Sequence, residues 1–399
     1  MPIAADRMNR LVESQTLALA AKVRQLKAQG LEVYSFTLGE PDFDTPDHIR
    51  TAAMEAIRRG ETHYPPVAGI PALRQAVADF YQREFGLSYP ASQVLISTGA
   101  KQSLINVLMS LVNPGQEVIL PTPYWVSYLP MTLMCEGTPV FIEAKDENGL
   151  KITPEQLEGA ITPHTKLFLF NSPSNPTGAV YTEAETETLV QVLEKHPHVY
   201  ILADEIYSLI RFGGGYKSIA SFDSIRDRVI LINGVSKAFA MTGWRIGVTI
   251  AVPEIIQLCE RFQGQVTSGA CSIAQHAAAT AFASPLEPTY EMVKAFQARR
   301  DEALRIFAQE MPDMRLTQPE GAFYLYPNVS AYFGKKTPNG HLIENADQLA
   351  EYLVESVRVV TVPGTAFGTN QHIRLSYACA MEDLTKGLMR MAEGLAQLR

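Results

Sequence analysis

The sequence predicts an α/β fold: a mostly parallel central sheet with helices on both faces, joined to a smaller α+β portion. Apolar runs of strand length alternate with amphipathic segments of helix length through the middle of the chain. That interleaving calls for crossover units between parallel strands. At 399 residues, 46% hydrophobic and 19% charged, the chain has a globular profile and is too long for one small core.

Taken in order, Val94-Leu-Ile-Ser97 reads as a strand leading into the helix-like segment Lys101–Val112. The strand Glu117-Val-Ile-Leu120 follows and is ended by Pro121-Thr-Pro123. Lys166-Leu-Phe-Leu-Phe170 precedes the turn-rich Asn171–Gly178, and Glu183–Glu194 reads as helix. Val199–Leu202, Val229–Ile232 and Val248–Val252 are further strands. Beyond them come a long helical pattern over Tyr290–Glu310, short strands at Ala322–Tyr326 and His372–Tyr377, and a last helix near Glu382–Leu398. A domain change is expected near Ser284-Pro-Leu-Glu-Pro288. It divides a large domain, 48–284, from an N-terminal arm and small domain, 1–47 with 285–399. No internal repeat is visible.

The charge pattern excludes several function classes. A formal net charge of −8 with no lysine/arginine block argues against a nucleic-acid binder. Cys135, Cys259, Cys271 and Cys379 are far apart and form no CxxC pair, as expected of reduced thiols rather than a disulfide frame or zinc site. The histidines show no metal-ligand spacing, and His196 and His198 merely flank a proline. Asp6, Arg7, Arg10 and Glu13 interrupt any signal-like run, and no stretch approaches the roughly 18 uncharged residues of a membrane span. A cytoplasmic location is expected.

Lys237 is the most informative residue. It lies in Gly234-Val-Ser-Lys-Ala-Phe-Ala-Met-Thr-Gly-Trp-Arg-Ile-Gly247, directly after the apolar run Val229–Ile232. An ammonium at the end of a buried strand must be solvated, ion-paired or chemically used. In a partly dry pocket a lysine loses its proton more easily and can form a Schiff base with an aldehyde. The segment therefore points to an enzyme built around pyridoxal phosphate (PLP).

The rest of a PLP site can be read around it. Ser97-Thr-Gly-Ala-Lys101 joins a strand to a helix, where free N–H groups and the helix dipole favour an anion. Taken alone, it is an ordinary tight turn. Ser236 and Arg245 flank Lys237 and can complete a phosphate cup, although a lone Arg245 reads more simply as a surface ion pair. Gly213-Gly-Gly215 opens no helix after a strand and reads as a flexible turn. Asp204 ends the run Val199–Leu202, where ligands gather in parallel sheets. A carboxylate against the pyridine nitrogen keeps the ring an electron sink. Tyr207 and Asn175 can reach the ring oxygen, and Trp125 can stack on the ring. In isolation these four are a helix cap, a packed aromatic, a turn residue and a core tryptophan.

Together these segments resemble the class I aminotransferases, PLP enzymes of fold type I, and within them the bacterial aspartate aminotransferase branch. The matching pieces are Leu38-Gly-Glu-Pro-Asp-Phe43, His63–Arg74, Thr98–Gln102, Asn175-Pro-Thr-Gly178, Asp204-Glu-Ile-Tyr207, Ser236–Gly247 and His372-Ile-Arg-Leu-Ser376. The resemblance implies that Lys237 holds the cofactor aldehyde and shuttles the substrate proton, while Asp204 pairs with the pyridinium. Asn175 and Tyr207 would contact the ring oxygen. Gly99, Ala100 and Lys101, with Ser236 and Arg245, would hold the phosphate. Tyr64 would reach the phosphate of a neighbouring subunit, which implies a homodimer with shared active sites. Arg374 would clamp the α-carboxylate of an L-amino acid or 2-oxo acid, with Gly39, Asn175 and Trp125 beside it.

Aspartate with 2-oxoglutarate is the expected substrate pair. Lys101 would take the second carboxylate, helped by Thr267 and Ser268 hydroxyls of the other subunit. Leu11-Val-Glu-Ser14 offers no lysine or arginine where some relatives carry one. That leaves prephenate, aromatic or small neutral amino acids as alternatives. A serine hydrolase would use Ser236 in Gly234-Val-Ser-Lys-Ala238 with a base such as His372, but the final glycine of its elbow is missing. A non-catalytic PLP-binding regulator would need a DNA-reading module, and no basic extension long enough precedes Leu38.

Overall fold

A computed structural model describes residues 15–399 together with Ile3, Ala5, Met8 and Leu11. Its strands in chain order are β1 (Tyr34–Ser35), β2 (Val94–Ser97), β3 (Glu117–Thr122), β4 (Thr138–Glu143), β5 (Thr165–Asn171), β6 (Tyr200–Asp204), β7 (Val229–Gly234), β8 (Gly247–Ile250), β9 (Tyr324–Leu325), β10 (Val359–Val360), β11 (Val362–Pro363) and β12 (Ile373–Ser376). Seven form the central sheet in the order β2-β8-β7-β6-β5-β3-β4. Every neighbouring pair is parallel except the two that involve β8.

The sheet forms because its inner strands are apolar on both faces. Successive residues of β5 divide between two cores: Leu167 and Leu169 join Leu202, Ile230 and Ile232 on one side. Phe168 and Phe170 join Ile201, Ala203 and Leu231 on the other. Continuous apolar runs of this kind belong to sheets covered by helices on both faces. The helix Glu183–Glu194 starts where expected because Thr182 and Glu185 cap each other reciprocally.

In the central sheet, three details differ from the sequence reading. β3 runs through Pro121 to Thr122 rather than stopping at Leu120. Alternate residues of β3 face β4 and β5; Glu117 N donates to His164 O on the β5 side, which places Pro121 on that side too. Pairing with β5 has already ended at Ile119, so the missing proline donor is not needed there. β4 was not anticipated, since an edge strand with exposed Thr138, Phe141 and Glu143 has no apolar alternation to reveal it. β8 begins at Gly247 and runs antiparallel. A Cβ at Gly247 would overlap the backbone of Gly99 and Ala100, so only glycine permits this approach.

The remaining strands form a three-stranded antiparallel sheet, β11-β12-β9, and a parallel pair, β1 with β10. Phe36, between Phe36 N→Val360 O at 2.9 Å and Ser376 N→Phe36 O at 2.8 Å, stitches the N-terminal stretch into this sheet region. Its core, including Phe36, Phe296, Phe323 and Leu388, is distinct from the two cores of the central sheet. Among the described residues, no helix is long and apolar enough to cross a membrane, and no side-chain cluster could hold a metal ion.

Candidate active site

Strand register gathers the chemistry at one edge of the central sheet. Asn171 lies opposite Asp204, Asp204 opposite Ile232, and Gly247 opposite both Gly234 and Ser97. The carboxyl ends of β2, β5, β6 and β7 therefore meet where antiparallel β8 begins, which brings Arg245 to the same edge. Ligands bind beyond such strand ends. A cavity of about 350 Å3 opens there. Its wall includes Gly39, Ala100, Lys101, Trp125, Asn175, Asp204, Tyr207, Ser236, Lys237, Arg245 and Arg374.

Two of the expected residues stand apart from that wall. Gly99 lies directly behind it, where any Cβ would overlap the Arg245 guanidinium. Tyr64 is 97% exposed and does not line the cavity of its own chain.

Lys237 is half-buried, and its Nζ donates to Gly39 O. Desolvation brings its pKa down to about 8, opposed by the charge of Glu40. Asp204 is buried; its Oδ2 accepts from Tyr128 OH at 2.7 Å and its Oδ1 from Ile206 N at 3.2 Å. Burial raises its pKa to about 6 despite the stabilising Tyr128 hydrogen bond. Asp204 thus does cap the following turn, as a lone acid would, while also facing the cavity.

Arg374 is only 2% exposed. Its Nη1 donates to Asn175 Oδ1 at 3.0 Å and its Nη2 to Thr37 O at 2.7 Å, while buried Nε has no partner among the described residues. The guanidinium lies between the rings of Tyr324 and Phe367, 4.6 and 4.9 Å from their centroids. Burial lowers its pKa, and the groups that oppose this are tyrosines rather than carboxylates. A buried cation whose partners are neutral is an acceptor site for a carboxylate brought from outside.

At the opposite end, Ala100 and Lys101 open the helix Ala100–Leu111, whose first-turn N–H groups lack helical acceptors. Arg245 donates from Nη1 to Thr242 O at 2.8 Å and, among the described residues, is bonded to no carboxylate. Ser236 is buried beside it. Lys101 Nζ sits 5.1 Å from the Trp125 ring centroid, and burial with the nearby Arg245 lowers its pKa although the side chain is exposed. Thr267 accepts from Gln102 Nε2 of the same chain.

This donor set fits PLP. A cationic helix start receives a phosphate, a dry carboxylate receives a pyridinium, and a low-pKa amine receives an aldehyde. Among the lining residues that escaped the sequence reading are Tyr128 and Tyr324. Tyr324 OH lies 2.7 Å from Tyr207 OH, across 117 residues of sequence. No local pattern reports such pairings. The hydrolase alternative fails on geometry: His372 is outside the cavity, and its Nε2 lies 3.0 Å from Asp146 Oδ1. The segment Leu11–Ser14 falls outside the described residues except for Leu11.

Comparison with known proteins agrees with this geometry. The family model for aminotransferase class I and II matches residues 32–391. A probable aspartate/prephenate aminotransferase of Rhizobium leguminosarum bv. phaseoli is 45% identical over 98% of both chains. An aspartate/prephenate aminotransferase of Cereibacter sphaeroides is 46% identical over 98% of both. The crystal structure of the aspartate aminotransferase from Rhizobium meliloti superposes with a TM-score of 0.96 at 40% identity, covering 100% of both chains. The chain therefore belongs to the class I and II aminotransferases, and it is a PLP-dependent enzyme of that family.

Proposed function

We propose that the enzyme moves the amino group of L-aspartate to 2-oxoglutarate by ping-pong transamination. The observation that carries this reading is the buried Arg374 guanidinium, without a carboxylate partner among the described residues, in the same cavity as Lys237 and Asp204. PLP, when bound, supplies an aldehyde that exchanges amines and a ring that withdraws electrons from the substrate α-carbon.

The protein's own part follows from its side chains. Arg374 fixes the α-carboxylate through its planar fork, with Asn175 and Gly39 beside it. Lys237 Nζ, with a pKa near 8, takes the α-proton and returns it. Asp204, held by Tyr128 OH, would keep a proton on the ring nitrogen. Tyr207 and Asn175 would serve the ring oxygen, while Ala100, Lys101, Gly99, Ser236 and Arg245 would take the phosphate. Trp125 would cover the ring. Lys101 would take the second carboxylate, helped by the Thr267 and Ser268 hydroxyls of the other subunit. Prephenate is the alternative oxo acid, because it also carries two carboxylates and because relatives at 45% and 46% identity bear its name.

The exposed Tyr64 supports a homodimer in which each subunit lends this hydroxyl to the other's phosphate. The separate core of Phe36, Phe296 and Leu388 supports the division into 48–284 and 1–47 with 285–399. The absence of disulfides among the four cysteines supports a cytoplasmic setting.

Absorbance titration of the PLP-loaded enzyme with single amino acids is the direct test. Aspartate and glutamate are expected to convert the cofactor band at concentrations well below those needed for alanine or phenylalanine. Equal conversion by alanine would overturn the dicarboxylate reading.

Asp204 has a second measurable consequence. Its folded-state pKa of about 6 lies above the ordinary 3.8, so the charged form destabilises the empty enzyme above pH 6. The penalty fades as pH falls from 6 toward 4. Asp204→Asn is therefore expected to stabilise the cofactor-free protein at pH 7 by on the order of 1–3 kcal/mol while weakening PLP binding. Denaturant melts across pH 4–8 check the sign, and a gain that grows toward low pH would contradict it.

A further inference from the structure

We propose that the His372–Asp146 pair is a positioning device that holds Arg374 in place for the substrate α-carboxylate. The inference rests on the reading of Arg374 as the carboxylate clamp. His372 is 2% exposed on the strand approach to β12, two residues before Arg374. Residues two apart share one face of a strand, so the two side chains move together if the strand shifts. His372 Nε2 lies 3.0 Å from Asp146 Oδ1, and Asp146 Oδ2 accepts from Asn328 Nδ2 at 2.7 Å. Asp146 belongs to the turn after β4 of the central sheet. The pair therefore ties the strand bearing Arg374 to the sheet that carries Lys237 and Asp204.

A second line of contact runs through packed rings. The His372 imidazole stacks on Tyr326 with centroids 4.8 Å apart and planes within 8°. Tyr326 OH lies 2.6 Å from Thr369 Oγ1, and its ring meets Phe367 edge-on at 5.8 Å. Phe367 is one of the two rings that sandwich the Arg374 guanidinium. His372 Nδ1 is buried with no partner among the described residues. Among the described residues, the Asp146 bond is the one polar contact of this imidazole, and losing it leaves the ring held by stacking alone. Nothing in the chemistry of transamination needs an imidazole at this depth, outside the cavity.

The test uses the PLP-loaded enzyme with His372→Phe, which keeps an aromatic ring without the polar contact, and Asp146→Ala, which removes the acceptor. Both are expected to raise KM for aspartate and 2-oxoglutarate together by about tenfold, with kcat within about threefold. The calorimetric Kd for maleate, an unreactive dicarboxylate, should weaken by the same factor. The cofactor spectrum and the rate with an amine lacking an α-carboxylate should stay as in the parent. The double variant should lose no more than either single one. Arg374→Ala is assayed alongside. Unchanged maleate binding in both pair variants, beside weakened binding in Arg374→Ala, overturns the inference alone. Unchanged binding in all three overturns the clamp assignment and the inference with it.

Discussion

Lys237→Ala is expected to abolish transamination, lowering kcat by about four orders of magnitude or more. On the proposed mechanism the side chain would supply both the covalent anchor for the aldehyde and the base at the substrate α-carbon, and no described neighbour offers an amine in its place. Lys101, the other cavity lysine, lies over Trp125 at the phosphate end. Methylamine added to the variant should restore a small part of the rate, because it supplies a base without the tether. The absorbance band of lysine-bound cofactor should vanish even where PLP still binds. A purified variant that keeps both the band and the turnover would overturn the assignment. The protein itself should fold, since removing a half-buried amine with a pKa near 8 relieves desolvation rather than breaking a buried ion pair.

Arg374→Ala is the second large effect. A carboxylate bound to a buried guanidinium has no solvent to fall back on, so kcat/KM should fall by about a thousandfold. Arg374→Lys should recover only part of this, because an ammonium cannot match the two-point fork. The loss should be largest for substrates with an α-carboxylate and small for simple amines, which steady-state kinetics on matched pairs will show. Asn175 Oδ1 and Thr37 O, left without their donor, add a structural cost that thermal melts will report separately.

Much of the site was legible because its parts obey local rules. Lys237, Asp204 and the Ser97–Lys101 turn all follow apolar runs, and ends of parallel strands converge at one sheet edge. The helix at Glu183 announced itself by Thr182 and Glu185. The hidden parts depend on pairing across long stretches of chain. Tyr128 meets Asp204 across 76 residues, and Tyr324 meets Tyr207 across 117. Neither tyrosine sits in a pattern that distinguishes it from an ordinary core aromatic. Edge strand β4 was hidden because half-exposed strands need no apolar periodicity, and the extension of β3 through Pro121 depended on where its neighbour stops.

The alternation of strands and helices in the middle of the chain, and the candidate lysine and acid at strand ends, were written in the linear order of residues. Hydrophobic period and strand-end chemistry are short-range properties. Only the folded chain decided how dry each group is, because desolvation depends on atoms from distant segments. It moved Lys237 to about 8 and Asp204 to about 6, and it left Arg374 buried with no carboxylate partner among the described residues. It also delivered Gly39 to Lys237 through the pairing of β1 with β10, a contact between the two ends of the chain that no local pattern encodes.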